Sequence, residues 1–168
     1  MSTAGTLEDS LTSRLKQYLG DDQRRIAHAL KVTQRAKEIL KQERGADEVV
    51  VLCAAILHDI GIHEAEKKYG SSSPRYQHLE GPPVAREILK QEGLPDAVVE
   101  EVCDIVGHHH WPRPHESINF KIVYDADQIV GVEEGELSQI RLLTQSGRRL
   151  ARQLGLQSRT LPEEQDEC

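Results

Sequence analysis

The chain has 168 residues and a formal net charge of −7. That length suits one domain with a sizeable core, and that charge argues against a nucleic-acid polymer or a membrane surface as the main partner. No apolar run approaches the ~20 residues of a membrane span. The opening "MSTAGTLEDS" lacks the basic and apolar pattern of a secretory leader. Cys53, Cys103 and Cys168 show no C-x-x-C spacing. Cys53 and Cys103 fall in apolar helical patterns and read as reduced core residues, so the expected setting is cytoplasmic.

Residues 1–20 are expected to form an N-terminal helix or arm. From Asp21 to Gly45 the pattern is helical, with Asp at the front, Gly at the back, and Ile26, Leu30, Ala36 and Leu40 at helical spacing. Ala46 to Asp59 is nearly all apolar and predicts a central helix buried on most sides. Gly61 breaks or turns it, and "SSSPR" (71–75) reads as a loop. Glu80 to Gly93 predicts a helix started by Pro82 and Pro83. Another starts at Pro95, with Val98, Val102 and Ile105 as its stripe, and runs into "VGHHH". "WPRPHES" is a proline-rich loop. Ile118 to Val132 predicts an apolar helix with an acidic break, although its β-branched content leaves a strand open. Gly135 to Gly155 predicts one more amphipathic helix, which offers a face for a homodimer contact. The reading is all-α: a domain over 21–132, a C-terminal helix over 133–157, and an acidic, disordered tail over 158–168.

Eight histidines is a high count, and most fall in two short stretches. In "ILHDIGIH", a histidine and an aspartate end the apolar central segment. His28, His58, Asp59, His78, His108 and Asp127 come from five different segments, each at a helix interior or end. An unpaired carboxylate within "IVYDADQIV" would be costly to bury. Several imidazoles and carboxylates on apolar helices are more economically explained by a metal, and this N/O donor set suits first-row ions such as Fe or Mn. Six protein donors exceed what one catalytic ion takes and suffice for two, with positions left for water and substrate.

The order His28, then His58-Asp59 in "LHDIG", then Asp127 in "DADQI" resembles the HD-domain metal-dependent phosphohydrolase superfamily. "HLEGPPVAREIL" after His78 and "DIVGHHHWP" around His108 fit its stand-alone, two-metal members, and the likeness spans roughly Arg24 to Val132. The resemblance implies a helical bundle with the metal site between its central helices. His28, His58, Asp59 and Asp127 would hold one divalent cation; His78, His108 and a shared, bridging Asp59 would hold another. Fe or Mn is the expected pair, with Zn, Ni, Co and Mg as further candidates. The implied activity is hydrolysis of a phosphoester or phosphoanhydride in a small, nucleotide-like substrate by a metal-activated water. An alternative within the same superfamily is a di-iron oxygenase that cleaves a C–C or C–P bond with O₂. Ile62 stands where cyclic-dinucleotide phosphodiesterases of the HD-GYP type carry lysine, and Arg24 where a third metal would need glutamate.

Some choices stay open at this level. His109 is the second choice for His108, and His110 is expected to face solvent. His63 and His115 read as surface or rim residues. Asp125 competes with Asp127; two positions apart on a helix they face differently, which leaves Asp125 to cap or to orient a histidine. For phosphate, Lys67, Lys68 and Arg75 are the candidate substrate-binding residues, with Arg24 and Arg113 nearby. Trp111, the only tryptophan, either stacks on a base, shields the cleft or simply packs.

Overall fold

The computed structural model describes residues 3–163. Among them the secondary structure is helical: α1 (Thr3–Leu19), α2 (Gln23–Leu40), α3 (Glu48–Leu57), α4 (Ile62–Tyr69), α5 (Pro74–Gln91), α6 (Asp96–Val106), α7 (Ile118–Glu133) and α8 (Gln145–Gln153), then a short 3₁₀ turn, Gln157–Arg159. The all-α reading holds, and Ile118–Glu133 is a helix rather than a strand. No helix among the described residues is long and apolar enough to cross a membrane. Of the proposed tail, 158–163 are described, and 164–168, Cys168 with them, lie outside the described residues.

α3 is the axis. Asp47 starts it by accepting from the backbone N–H of Val49 and Val50 at 3.0 and 3.2 Å. Every residue from Val50 to Leu57 is buried, because α1, α2, α6 and α7 all pack on this helix. α1 is part of the same core through Leu11, Leu15 and Leu19. Asp22 caps α2 at Arg25 N, and Ser117 caps α7 at Phe120 N.

α5 begins earlier than its prolines suggest. Pro74 sits in the first turn, and Pro82 and Pro83 lie inside the helix. Their missing N–H groups leave the carbonyls of His78 and Leu79 without helical donors. Leu79 is well exposed, so water can reach this stretch. Beside the prolines, α5 touches the turn after α3. A Cβ at Gly61 would lie 2.5 Å from both the Gln77 oxygen and the Gly81 nitrogen. Only glycine permits that approach, and it sets His78 beside the end of α3.

The expected helix from Gly135 to Gly155 is not continuous. Gly135 ends α7 with φ of 77°, and the N–H groups of Glu136 and Leu137 turn back to the Gly131 oxygen. Ile140 then pairs with the chain around Thr160, and α8 starts only at Gln145. Asp125 fixes this path. Its fully buried carboxylate accepts from Leu143 N at 2.7 Å, Thr144 N at 2.9 Å and Thr144 Oγ1 at 2.7 Å. Thr144 Oγ1 in turn accepts from Gly147 N, and a Cβ at Gly147 would lie 2.4 Å from the carboxylate. The apolar side of α8, Leu150 and Ala151, is buried within the chain.

Replacing Asp125 with alanine orphans three buried donors, so Asp125→Ala should lower the unfolding free energy by about 3 kcal/mol in a denaturant titration. Burial pushes the Asp125 carboxyl up to about 6, against the hydrogen bonds that lower it. The folded chain then binds this proton more tightly than the unfolded chain, so the contribution to stability falls as pH rises from about 4 to about 6. Asp125→Asn should remove that decline; an unchanged slope between the two proteins would count against it.

Candidate metal centre

Three helices bring polar side chains together at the C-terminal end of α3. His28 comes from α2, Asp127 from α7, and His58 and Asp59 from the end of α3 itself. His28 Nε2 lies 3.1 Å from Asp127 Oδ1 and 3.4 Å from Asp59 Oδ2. His58 Nε2 lies 3.2 Å from Asp59 Oδ2, 3.5 Å from Asp127 Oδ1 and 3.3 Å from His28 Nε2. Donors bound to one first-row ion at about 2.1 Å stand about 3.0 to 3.4 Å apart in octahedral or tetrahedral geometry. The observed spacings, 3.1 to 3.5 Å, lie at or close to that range.

The protonation pattern supports the same conclusion. His58 donates Nδ1–H to the Ala55 oxygen at 2.8 Å, and His28 donates Nδ1–H to Glu134 Oε2 at 2.9 Å. Nε2 of each ring is therefore the atom left to face the centre, as a proton donor when the ring is charged and as a ligand when it is neutral. Two lone pairs and two carboxylates facing one another demand positive charge. Burial disfavours charge on His58, yet Asp59 and Asp127 outweigh it and hold this imidazole's pKa well above its ordinary value. Burial likewise works against ionised Asp59 and Asp127. The charge on His58, with hydrogen bonds from His109 to Asp59 and from His28 to Asp127, keeps both well below the usual carboxylate range. A proton here stands where a cation would fit, and the donor set suits one.

A second group lies on the other side of Asp59. His78, on α5, and His109 and His110, just past α6, offer nitrogens all within 4.8 Å of one another. His109 Nε2 is 3.1 Å from Asp59 Oδ1, while its Nδ1–H donates to the Val106 oxygen at 2.9 Å. Asp59 thus turns Oδ2 to the first group and Oδ1 to the second. Burial, with the charge of His109 added, pushes the His78 and His110 imidazoles down to about 4. Both are neutral and available as donors at neutral pH.

The structure corrects several sequence expectations. His108 is not brought to the centre. Its Nδ1 meets the Asp104 oxygen at 2.5 Å, its Nε2 meets Glu116 Oε1 at 2.7 Å, and its ring stacks on Phe120. α6 ends at Val106, and the turn after Gly107 sends consecutive side chains different ways. His109, the second choice, faces Asp59. His110, expected in solvent, is half-buried against His78. Asp127 joins the first group, and Asp125 anchors the chain before α8 instead.

A cavity of about 340 Å³ opens over His28, Asp59, Asp127 and His110. Lys67, Lys68 and Arg75 do not line it. Lys68 Nζ is held by Glu80 at 2.7 Å, and Arg75 lies over the Tyr76 ring. Its basic wall is Arg24 and Arg25 instead. Arg25 is tied to Asp22 and Glu66, and Arg24 to Glu136. Arg113 pairs with Asp104. His63 meets Asp22, and His115 is exposed. Trp111 is 55% exposed and stands edge-on to His78. Glu134, Arg25 and Gln77 are lining residues that the sequence reading missed. Glu134 was within reach, because it follows Asp127 by two helical turns and shares its face.

Comparison with known proteins agrees with this geometry. The family model described as HD domain matches residues 25–131. A crystal structure of a predicted HD superfamily hydrolase from an uncultured Thermotogales bacterium superposes with a TM-score of 0.66 at 23% identity, covering 85% of this chain and 82% of that one. At that identity the likeness shows the fold. No curated protein matches the chain. More than half of the sequence fits the family model, and His28, His58-Asp59 and Asp127 all fall within the matched region: the chain belongs to the HD domain family.

Proposed function

We propose that this protein is a metal-dependent phosphohydrolase that cleaves a phosphoester or phosphoanhydride in a small, nucleotide-like substrate. The observation that carries the reading is the split carboxylate of Asp59, with Oδ2 against His28 and His58 and Oδ1 against His109. That placement suits a bridge between two cations. His28, His58, Asp59 Oδ2 and Asp127 would hold one; His78, His109 and Asp59 Oδ1 would hold the other. Two divalent ions supply Lewis acidity toward phosphoryl oxygens and a water ionised near neutral pH. The protein's part is to fix Asp59 between the groups and to bury His58 against bulk water. Arg24 and Arg25 stand on the cavity wall, where a phosphate reaching past the ions would find charge. The predicted hydrolase of like fold is consistent with this class of reaction.

Metal-replete protein purified without oxygen should release phosphate or a nucleotide from at least one member of a panel of phosphomonoesters, diesters and anhydrides. Turnover that consumes O₂ instead, with an iron signal, would select the oxygenase reading. His58→Ala combined with Asp59→Ala should leave no stoichiometric metal and only background release; retained stoichiometric metal refutes the site. Glu134 orients His28 and raises its basicity. Glu134→Ala should therefore weaken cation binding about 10- to 100-fold in a metal titration while the apo protein stays folded.

A further inference from the structure

The second histidine group contains one more nitrogen than a His78–His109 pair provides. His110 Nδ1 lies 3.0 Å from His78 Nε2, and His110 borders the cavity. His109 has its Nδ1 committed to the Val106 oxygen, so Nε2 is the atom it turns toward Asp59 and would offer to a cation. The three rings pack at centroid distances of 4.9 Å for His78–His109, 5.1 Å for His78–His110 and 4.0 Å for His109–His110. The first group offers two nitrogens, from His28 and His58, and two oxygens, from Asp59 and Asp127. The second offers three nitrogens and one oxygen.

Resting on the two-cation reading above, we propose that His110 is a third imidazole ligand of the second cation, so that the two positions bind chemically different ions. Imidazole donors suit Co, Ni and Zn, whereas carboxylate oxygen suits Mn and Mg, and affinity for a nitrogen-rich site rises from Mn toward Ni. The second position therefore fills first with a late first-row ion. The first position is the one that Mn can take. The bland competitor is a simple hydrogen bond between His78 and His110, helped by the His110 N–H that points at His78 Nε2 from 3.4 Å.

Trp111 makes the two distinguishable. It is the only tryptophan in the chain, and its ring centroid lies 4.7 Å from that of His78. A paramagnetic ion among these histidines should quench its emission. Apo protein titrated with Ni²⁺ should show a tight quenching phase of one equivalent, and Mn²⁺ added afterwards should disappear from the free-ion EPR signal by a further equivalent. His28→Ala should abolish the Mn²⁺ uptake and leave the Ni²⁺ phase in place. His110→Asn keeps an amide where Nδ1 stood and so keeps the hydrogen bond to His78, but it offers no imidazole. It should weaken the Ni²⁺ phase at least about tenfold, since even orienting groups outside the ligand sphere are worth that much. His110→Gln should do the same, with apo thermal midpoints matched to wild type to exclude misfolding. His108→Asn should leave the Ni²⁺ phase intact. Unchanged Ni²⁺ affinity in both His110 variants, with loss in His109→Ala, overturns the ligand role and leaves the two-cation reading standing. Fewer than two cations per wild-type chain overturns that reading itself.

Discussion

The structure turns on a carboxylate placed where a wholly apolar helix ends. Every residue from Val50 to Leu57 is buried, so the C-terminal end of α3 is the first place the central chain can become polar. A helix C-terminus carries partial negative charge. Asp59 follows directly, Asp127 lies 3.5 Å from His58, and Glu134 stands behind His28. So much negative character in a half-buried site is costly to hold without a counter-charge. Against it the protein sets imidazoles: His28 and His58, whose outer nitrogens are already spent on Glu134 and Ala55, and His109 on the far side of Asp59. The fold thus creates a local demand for cations through its own packing.

Two histidine groups face the one Asp59 carboxylate because the backbone comes unusually close at Gly61 and Gly81. The turn after α3 lies directly against α5, with no room for a Cβ at Gly61. A larger residue there would separate His78 from Asp59 and leave a single histidine group. A Cβ at Gly81 would meet Val106 at 2.7 Å, so α6 is held in the same cluster, and its end delivers His109 and His110. Two glycines therefore control whether one carboxylate can serve two groups.

Much of this was legible in the sequence, and the failures have physical causes. Helical periodicity and the long apolar run gave α2, α3, α6 and α7, because burial on one face or on all faces leaves that imprint. The ordered histidines and aspartates pointed to the centre because each sits at a helix end or on an inner face. The choice of His108 over His109 failed by one residue, since side chains beyond a helix end no longer follow its rotation. Pro82 and Pro83 looked like a helix start, yet α5 carries them inside, on a stretch that water reaches. The C-terminal run looked like one helix, but a buried contact between Asp125 and Thr144 redirects it. Lys67 and Lys68 were chosen by nearness along the chain. Arg24 and Arg25 border the cavity because α2 crosses it, a relation between helices that spacing alone does not encode.

The same charges bear on how an anion could be held. The chain carries −7 overall, which opposes the approach of a phosphate at long range. Arg25 is already paired with Asp22 and Glu66, and Arg24 with Glu136, so neither offers its full charge to the cavity. With Glu134 and Glu136 also lining it, the metal-free cavity has little net attraction for a phosphorylated molecule. On the proposed reading, the bound cations reverse that balance and create the anion site along with the reactive water. Arg24, whose side chain is 84% exposed in its pair with Glu136, then costs little to release, because an exposed ion pair contributes about 1 kcal/mol or less. Substrate affinity and metal occupancy are in this way one property of the site, set by the carboxylates that gather at the end of α3.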